Sequence, residues 1–161
     1  MKGIILSVII VFSMSNAFAC NCEELKITEA YNNSDFIFTG KLIDKQIKIT
    51  DVEAPKIKSV QKYTRIIFTF EVIEIIKGRK HTSIVKISSK FNDINFRIGE
   101  EYLIYSYFSE YLLTSNFYIN GEKVKPFLAT DFCTNTKKLS FVNKKELKKL
   151  RKIARKHKNA A

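Results

Sequence analysis

Cysteine is the residue type in this chain with the most distinctive chemistry. The chain has three cysteines, Cys20, Cys22 and Cys133, so at most one disulfide can form within it and one sulfur must have another role. Cys20 and Cys22 are separated only by Asn21, which is too close for a bridge without strain. One of these two cysteines is therefore expected to pair with Cys133.

The histidines and acidic residues do not form a pattern typical of catalysis. His81 lies in a basic turn and His157 near the C-terminus, and neither has metal-ligand spacing or a neighbouring nucleophile. Asp35, Asp44 and Asp131 fall in turns or at strand ends, and their positions do not suggest an acid and base pair. The glycines are isolated, so there is no glycine-rich phosphate loop. We expect no enzymatic activity, no metal site and no cofactor.

Residues 1–19 are typical of a bacterial signal peptide. Lys2 gives a positive start, Ile4 to Phe12 form an apolar core, and Ala17-Phe18-Ala19 supply the small residues that a signal peptidase recognises. The apolar run is about half of the ~20 residues needed to cross a bilayer. We expect cleavage before Cys20 and a location in the cell envelope, periplasmic or at the outer membrane, or secretion.

Positive charge is concentrated near the C-terminus. The formal net charge is +12, and Asn143 to Lys158 contain nine Lys or Arg against Glu146 alone. Asn143 and Glu146 have the spacing of a capping box, which predicts a helix. Its apolar stripe, Leu147, Leu150 and Ala154, should pack on the rest of the domain. Its other faces form a candidate anion-binding surface or, as the alternative, a solvated helix face. This basic face consists of Lys144, Lys145, Lys148, Lys149, Arg151, Lys152, Arg155 and Lys156.

Most of the remaining chain is patterned as strands. Aromatic and β-branched runs predict strands over Phe36–Leu42, Tyr63–Ile76, Ser83–Ser88, Tyr102–Phe108 and Tyr111–Ile119. In the second of these strands, side chains of alternate residues point to opposite faces, and the more apolar set should face the core. That set comprises Ile66, Phe68, Phe70, Val72, Glu74 and Ile76.

The segments between the strands carry weaker signals. Asp44 to Lys62 predict a long loop or a frayed hairpin, and Glu24 to Asn32 a short helix. Asn120-Gly121 predict a hairpin turn, and Pro126 favours an edge position for the return strand. No strand-helix-strand alternation occurs, which favours a small closed or partly open barrel over an α/β sheet. We divide the chain into a signal peptide (1–19), one domain (20–155) and a frayed basic tail (156–161).

Several motifs, in this order, resemble the netrin-like domain of tissue inhibitors of metalloproteinases and their bacterial relatives. The resemblance covers most of residues 20–150 and implies a mainly β fold: a five-stranded OB-fold barrel with a short N-terminal helix and a C-terminal basic helix. The motifs are Cys20-Asn21-Cys22, Ser-Asp-Phe-Ile-Phe-Thr-Gly-Lys (34–41), Phe-Glu-Val-Ile-Glu-Ile-Ile-Lys-Gly (70–78), Gly-Glu-Glu-Tyr-Leu-Ile-Tyr (99–105) and Cys-Thr-Asn-Thr-Lys-Lys-Leu (133–139).

The resemblance also implies a role for each cysteine. It pairs Cys22 with Cys133, whereas the family's partner for the first cysteine would precede Gly99, and Phe91 to Phe96 contain none. Cys20 is then unpaired at the first mature position, where bacterial lipoproteins are acylated. That pathway prefers Leu at the position of Ala17, so a free thiol or an intermolecular bridge at Cys20 is the alternative.

Two functions follow from the resemblance. The first is a non-enzymatic, exported or lipid-anchored binding module of the cell envelope, with a protein or glycan partner and a membrane attachment through Cys20. The alternative is a metalloendopeptidase inhibitor, in which the Cys20-Asn21-Cys22 wedge chelates the zinc of a protease through the free amine and carbonyl of Cys20. Nucleic acid is not an expected partner, because export separates the chain from it and core packing accounts for most aromatic residues.

Overall fold

The computed structural model describes residues 25–54, 59–78, 82–90, 94–111, 123–131 and 133–159. The predicted signal peptide, the Cys20-Asn21-Cys22 wedge, His81, the Asn120-Gly121 turn and all but the first residue of the strand predicted over Tyr111–Ile119 lie outside these residues. In chain order the elements are helix α1 (Ile27–Asn33), strands β1 (Phe36–Ala54), β2 (Ser59–Lys77), β3 (Ile84–Lys90), β4 (Glu101–Tyr111), β5 (Lys123–Ala129) and β6 (Lys137–Lys138), a 3-10 turn (Leu139–Phe141) and helix α2 (Lys144–Asn159).

Five of the strands form a near-closed ring. The strand order is β1-β2-β3-β5-β4, and β4 pairs back onto β1, while the short β6 is added to β4. All pairs are antiparallel except β3 and β5, which are parallel and joined at one position, Ser88 with Ala129. The predicted mainly β class, with a short N-terminal helix and a C-terminal helix, is confirmed.

The inside of the ring is filled mainly by aromatic rings. Phe96 packs edge-on against both Phe68 and Tyr102, with ring centroids 4.7 Å apart in each case, and against Phe70 at 5.5 Å. Such edge-to-face pairs are favourable beyond the area they bury. Phe96 belongs to none of the predicted strands. It enters the core from the segment between β3 and β4.

The predicted inward parity of β2 holds for only part of the strand. Ile66, Phe68 and Phe70 are buried inside the ring, but Ile76 packs on the outside, beneath the helices. The cause is a register shift opposite β1, in which Gly40 pairs with Val72 and Thr39 with Glu74. One extra residue in a strand reverses the alternation of side chains beyond it, so the prediction is wrong for Glu74, which contacts α2, and for Ile76.

The segment predicted as a long loop or frayed hairpin is a regular hairpin. Strands β1 and β2 stay paired from Asp44 with Thr69 as far as Ala54 with Ser59, so the loop interpretation is wrong and the hairpin interpretation is correct. Polar composition misled the prediction, because this two-stranded arm extends past the ring and has little core to face. Ile47 and Ile49, for example, are about 60% exposed.

Both helices pack on one outer face of the ring. Leu150 of α2 and Tyr31 of α1 are buried there with Ile37, Leu103 and Tyr105. The side chain of Asn143 caps α2 as predicted, accepting a 2.9 Å hydrogen bond from the Lys145 amide. Glu146, the expected other half of the capping box, instead pairs with Lys137 at 3.2 Å.

Helix α2 also continues beyond its predicted boundary. It runs to Asn159, so the frayed tail predicted from residue 156 is helical through that position. The apolar stripe explains the extension, because His157 follows Ala154 on the same side of the helix. Its ring lies 5.2 Å from the ring of Tyr31, measured between centroids, which ties the last turn of α2 to α1.

Candidate functional site

The loop that carries Cys133 is built by hydrogen bonds to Asp131. The Asp131 carboxylate accepts bonds from the amides of Cys133 (2.9 Å) and Thr134 (3.0 Å), and from the Tyr107 hydroxyl (3.0 Å). Aspartate commonly closes such turns by bonding to backbone two or three residues ahead. Asp131, considered from the sequence as a turn residue, thus holds the loop in place.

Threonine hydroxyls attach the same loop to the core. Thr130 and Thr136 both donate to the carbonyl of Tyr105, at 2.9 and 3.1 Å, and the Tyr105 amide donates back to Thr136 at 2.9 Å. Thr130 is buried, so these bonds form in a setting that strengthens them. The position of Cys133 is therefore set by strand β4 rather than by the loop alone.

The N-terminal segment is attached next to Cys133. Cys133 is disulfide-bonded, and the side-chain amide of Asn135 donates a 2.8 Å hydrogen bond to the carbonyl of Leu25. A cleft of about 200 Å³ separates the two segments and is lined by Leu25, Tyr105 and the Cys133 loop. Because the chain's other two cysteines lie outside the described residues, the pairing of Cys22 with Cys133 stays a prediction, as do acylation of Cys20 and the wedge.

Tyr105 is a further buried polar residue of this junction. Its side chain is fully buried, and its hydroxyl has no hydrogen-bond partner within the described part of the chain. Burial raises the pKa of Tyr105, and the nearby charge of Glu146 raises it further. The phenol is therefore neutral at physiological pH and serves as packing rather than as an acid.

All eight residues of the predicted basic face lie on α2 and are exposed. They do not share one environment. Arg151 forms a bidentate pair with Glu74 on β2, with Nε–Oε1 and Nη2–Oε2 distances of 2.8 and 2.7 Å, and these bonds raise the pKa of Arg151. Exposed pairs contribute little to stability, but this one places one side of α2 against the end of β2.

A second cation caps the C-terminal end of helix α1. Lys77, at the end of β2, donates from Nζ to the carbonyls of Tyr31 (2.8 Å) and Ser34, and lies 4.7 Å from the centre of the Tyr31 ring. A cation at the C-terminus of a helix donates hydrogen bonds to the unpaired carbonyls there and interacts favourably with the helix dipole. Burial lowers the pKa of Lys77, which the charge of Asp35 partly offsets.

Lys77, Glu74 and Arg151 line a cleft of about 350 Å³ between α1, β2 and α2. Arg155, His157 and Lys158 form its other wall. Gly78 lies at one end with φ of +111°, and a Cβ there would lie 2.0 Å from the Phe36 ring, so only glycine fits. No local pattern predicted that Glu74 would contact α2, because Glu74 and Arg151 are 77 positions apart in the chain.

The acids considered from the sequence lie apart from each other. Asp35 accepts a 2.8 Å bond from the Phe108 amide, and Asp44 bonds its own strand through the Lys45 amide and the Gln46 side chain. Among the described residues no group of three His, Cys, Asp or Glu could hold a metal ion. Within the same residues no helix is long and apolar enough to span a membrane.

Neither the protein-family models nor the curated protein sequences compared with this chain include a match.

Proposed function

We propose that the chain is a non-enzymatic binding module of the cell envelope, exported and then free or lipid-anchored through Cys20, with a netrin-like OB-fold barrel as its scaffold. The strand order supports the scaffold. A five-stranded ring in which β1 pairs with both β2 and β4, and β3 lies parallel to β5, has the arrangement expected of an OB-fold. OB barrels commonly serve as binding scaffolds with variable loops.

One observation carries the proposal: the first described residues are fastened beside the disulfide at Cys133. The Asn135 to Leu25 hydrogen bond and the Asp131 turn hold the N-terminal segment against the ring. A rigid N-terminal segment is what the resemblance to tissue inhibitors of metalloproteinases requires. It would also present a lipid on Cys20 at a defined place on the barrel.

The same observation supports the second candidate, a metalloendopeptidase inhibitor. A chelating wedge at Cys20-Asn21-Cys22 would gain affinity from being held rigid before it docks. A neutral, unblocked amine on Cys20 is essential to that mode, because an acylated amine cannot bind zinc. Acylation of Cys20 would therefore exclude the inhibitor, whereas a bare Cys20 is compatible with both candidates.

The first experiment is an intact mass of the protein recovered from its native envelope. A chain that starts at Cys20, carries acyl groups and lacks the two hydrogens of one disulfide supports the anchored module and excludes the zinc wedge. A bare chain from Cys20 with one disulfide leads to an inhibition assay on a zinc endopeptidase, with the amine-acetylated protein as matched control. A retained leader or a reduced Cys133 would contradict both candidates.

A further inference from the structure

The cleft between α1, the end of β2 and α2 is lined by more cationic side chains than have structural partners. Its lining includes four cations, Lys77, Arg151, Arg155 and Lys158, and one acid, Glu74. Two of the cations have structural partners, since Lys77 caps α1 and Arg151 pairs with Glu74. Arg155 and Lys158 form no ion pair with any residue that the structure describes.

The two unpaired cations lie next to each other on the rim of the cleft. They are three positions apart on α2, a spacing that places side chains on the same side of a helix. The guanidinium of Arg155 offers a planar fork of donors and the ammonium of Lys158 a point charge, and phosphate oxygens match both. The remaining lining is partly apolar and aromatic, from Ile76 and the Tyr31 and His157 rings.

We propose that this cleft binds a phosphate group carried on a small organic body, with Arg155 and Lys158 as its ligands and the Tyr31 and His157 rings beside the body. The volume of about 350 Å³ exceeds the needs of a bare phosphate and lies in the range of small-molecule sites. The phosphate belongs to a lipid headgroup or to a soluble phosphate ester. The site depends neither on the wedge nor on the state of Cys20, so its failure would leave the proposed function standing.

The test is a titration of the full exported chain with inorganic phosphate and with glycerol phosphate, at constant ionic strength, followed by NMR at the backbone amides of Gly78 and Ala154. Both amides should shift and saturate. In the Arg155→Ala, Lys158→Ala double variant the affinity should fall by roughly tenfold or more, because hydrogen bonds from charged groups are lost.

A matched control removes the same charge from another side of α2. Lys145 and Lys149 are exposed and lie outside the lining of the cleft, so Lys145→Ala with Lys149→Ala should change affinity by less than about twofold, as screened distant charges do. Equal losses in the two double variants would show diffuse attraction to the whole helix and would overturn the site. Shifts that do not saturate, or that spread evenly along α2, would overturn it as well.

A third variant predicts a change of opposite sign, which misfolding cannot mimic. Glu74→Gln removes the only acid among the described residues of the lining and releases the Arg151 guanidinium. Phosphate should then bind a few-fold more tightly, since a repulsive charge is lost and a third donor is gained. Unchanged or weaker binding in a folded Glu74→Gln protein would contradict the proposal.

Vesicles identify the source of the phosphate. Vesicles of phosphatidylglycerol in phosphatidylcholine are compared with vesicles of phosphatidylcholine alone. If the cleft takes a lipid headgroup, the Arg155 and Lys158 variant loses binding to the anionic vesicles and the Lys145 and Lys149 control retains it. If the cleft takes a soluble ester, the Arg155 and Lys158 variant loses glycerol phosphate binding, while the two double variants bind the anionic vesicles equally.

Discussion

Removing the hydroxyl of Tyr105 should stabilise the protein. Tyr105 lies at the centre of the outer face of the ring, fully buried, and its hydroxyl has no hydrogen-bond partner among the residues described. The ring of the side chain, which makes the packing contacts, is kept in Tyr105→Phe. The substitution therefore deletes only a polar atom that lost its water on folding and gained no hydrogen bond within the described part of the chain.

The size of the effect follows from the cost of burying an unpaired polar group. That cost is about 1–3 kcal/mol, and the small void left by one oxygen offsets part of the gain. We expect Tyr105→Phe to raise the free energy of unfolding by about 1 kcal/mol and the melting temperature by roughly 3–5 °C. The charge of Glu146 adds no ionisation effect at neutral pH, because it raises the pKa of Tyr105 as burial does.

The assay is urea denaturation of the two proteins, with Tyr102→Phe as the matched control. Tyr102 lies on the same strand, but its hydroxyl accepts a 2.8 Å bond from the Arg97 amide and donates a 2.9 Å bond to Glu100. The same chemical change should therefore cost about 1 kcal/mol at Tyr102. A loss of more than about 0.5 kcal/mol in Tyr105→Phe would show that its hydroxyl has a partner and would refute the reasoning.

Three further substitutions test other parts of the structure. Cys133→Ser should lower the free energy of unfolding by about 4–5 kcal/mol in oxidising buffer, which is the loop entropy for the closure of about a hundred residues that the predicted Cys22–Cys133 pairing would make. Wild type in reductant should match it. Leu150→Ala, which empties a fully buried site under α2, should cost about 2–5 kcal/mol in the same assay, whereas exposed Lys148→Ala should cost almost nothing. The hydrogen bond from Lys138 lowers the pKa of Glu100 below its ordinary 4.5, so the stability that its carboxylate contributes is present above pH 4.5 and lost as pH falls through the folded value. Urea midpoints below pH 4.5 should therefore fall more steeply in wild type than in Glu100→Gln, and parallel curves would contradict this.

Local sequence patterns predicted many of the elements of the fold. The β-branched and aromatic runs identified β1 to β4, and the spacing of Leu147, Leu150 and Ala154 identified α2, because alternation and helical periodicity are properties of neighbouring residues. Pro126 favoured an edge position for its strand, but β5 lies between β3 and β4 in the ring, although it pairs with β3 only at Ala129. These predictions needed no knowledge of distant parts of the chain.

The predictions that failed depend on distant partners. The register shift that moves Ile76 to the outside of the ring is set by the pairing of Thr39 and Gly40 with β2. For the long arm of β1 and β2 the sequence left a loop and a frayed hairpin open, because strand pairing and not burial maintains the arm. The cleft was missed for the same reason, since its basic wall was visible in the sequence of α2 but Glu74 and Lys77 reach it only through the fold.

The single paired position between β3 and β5 determines where the ring can open. Every other neighbouring pair around the ring is joined over several residues, whereas the described part of this seam has a single paired position, Ser88 with Ala129. Beside it the Thr130 amide donates to the Ser88 carbonyl at 3.1 Å. The free energy of local opening is lowest where few bonds must break together. In hydrogen exchange, the Thr130 amide should therefore exchange well before the amides that join β1 to β2, so the barrel opens along one side while its opposite wall stays closed.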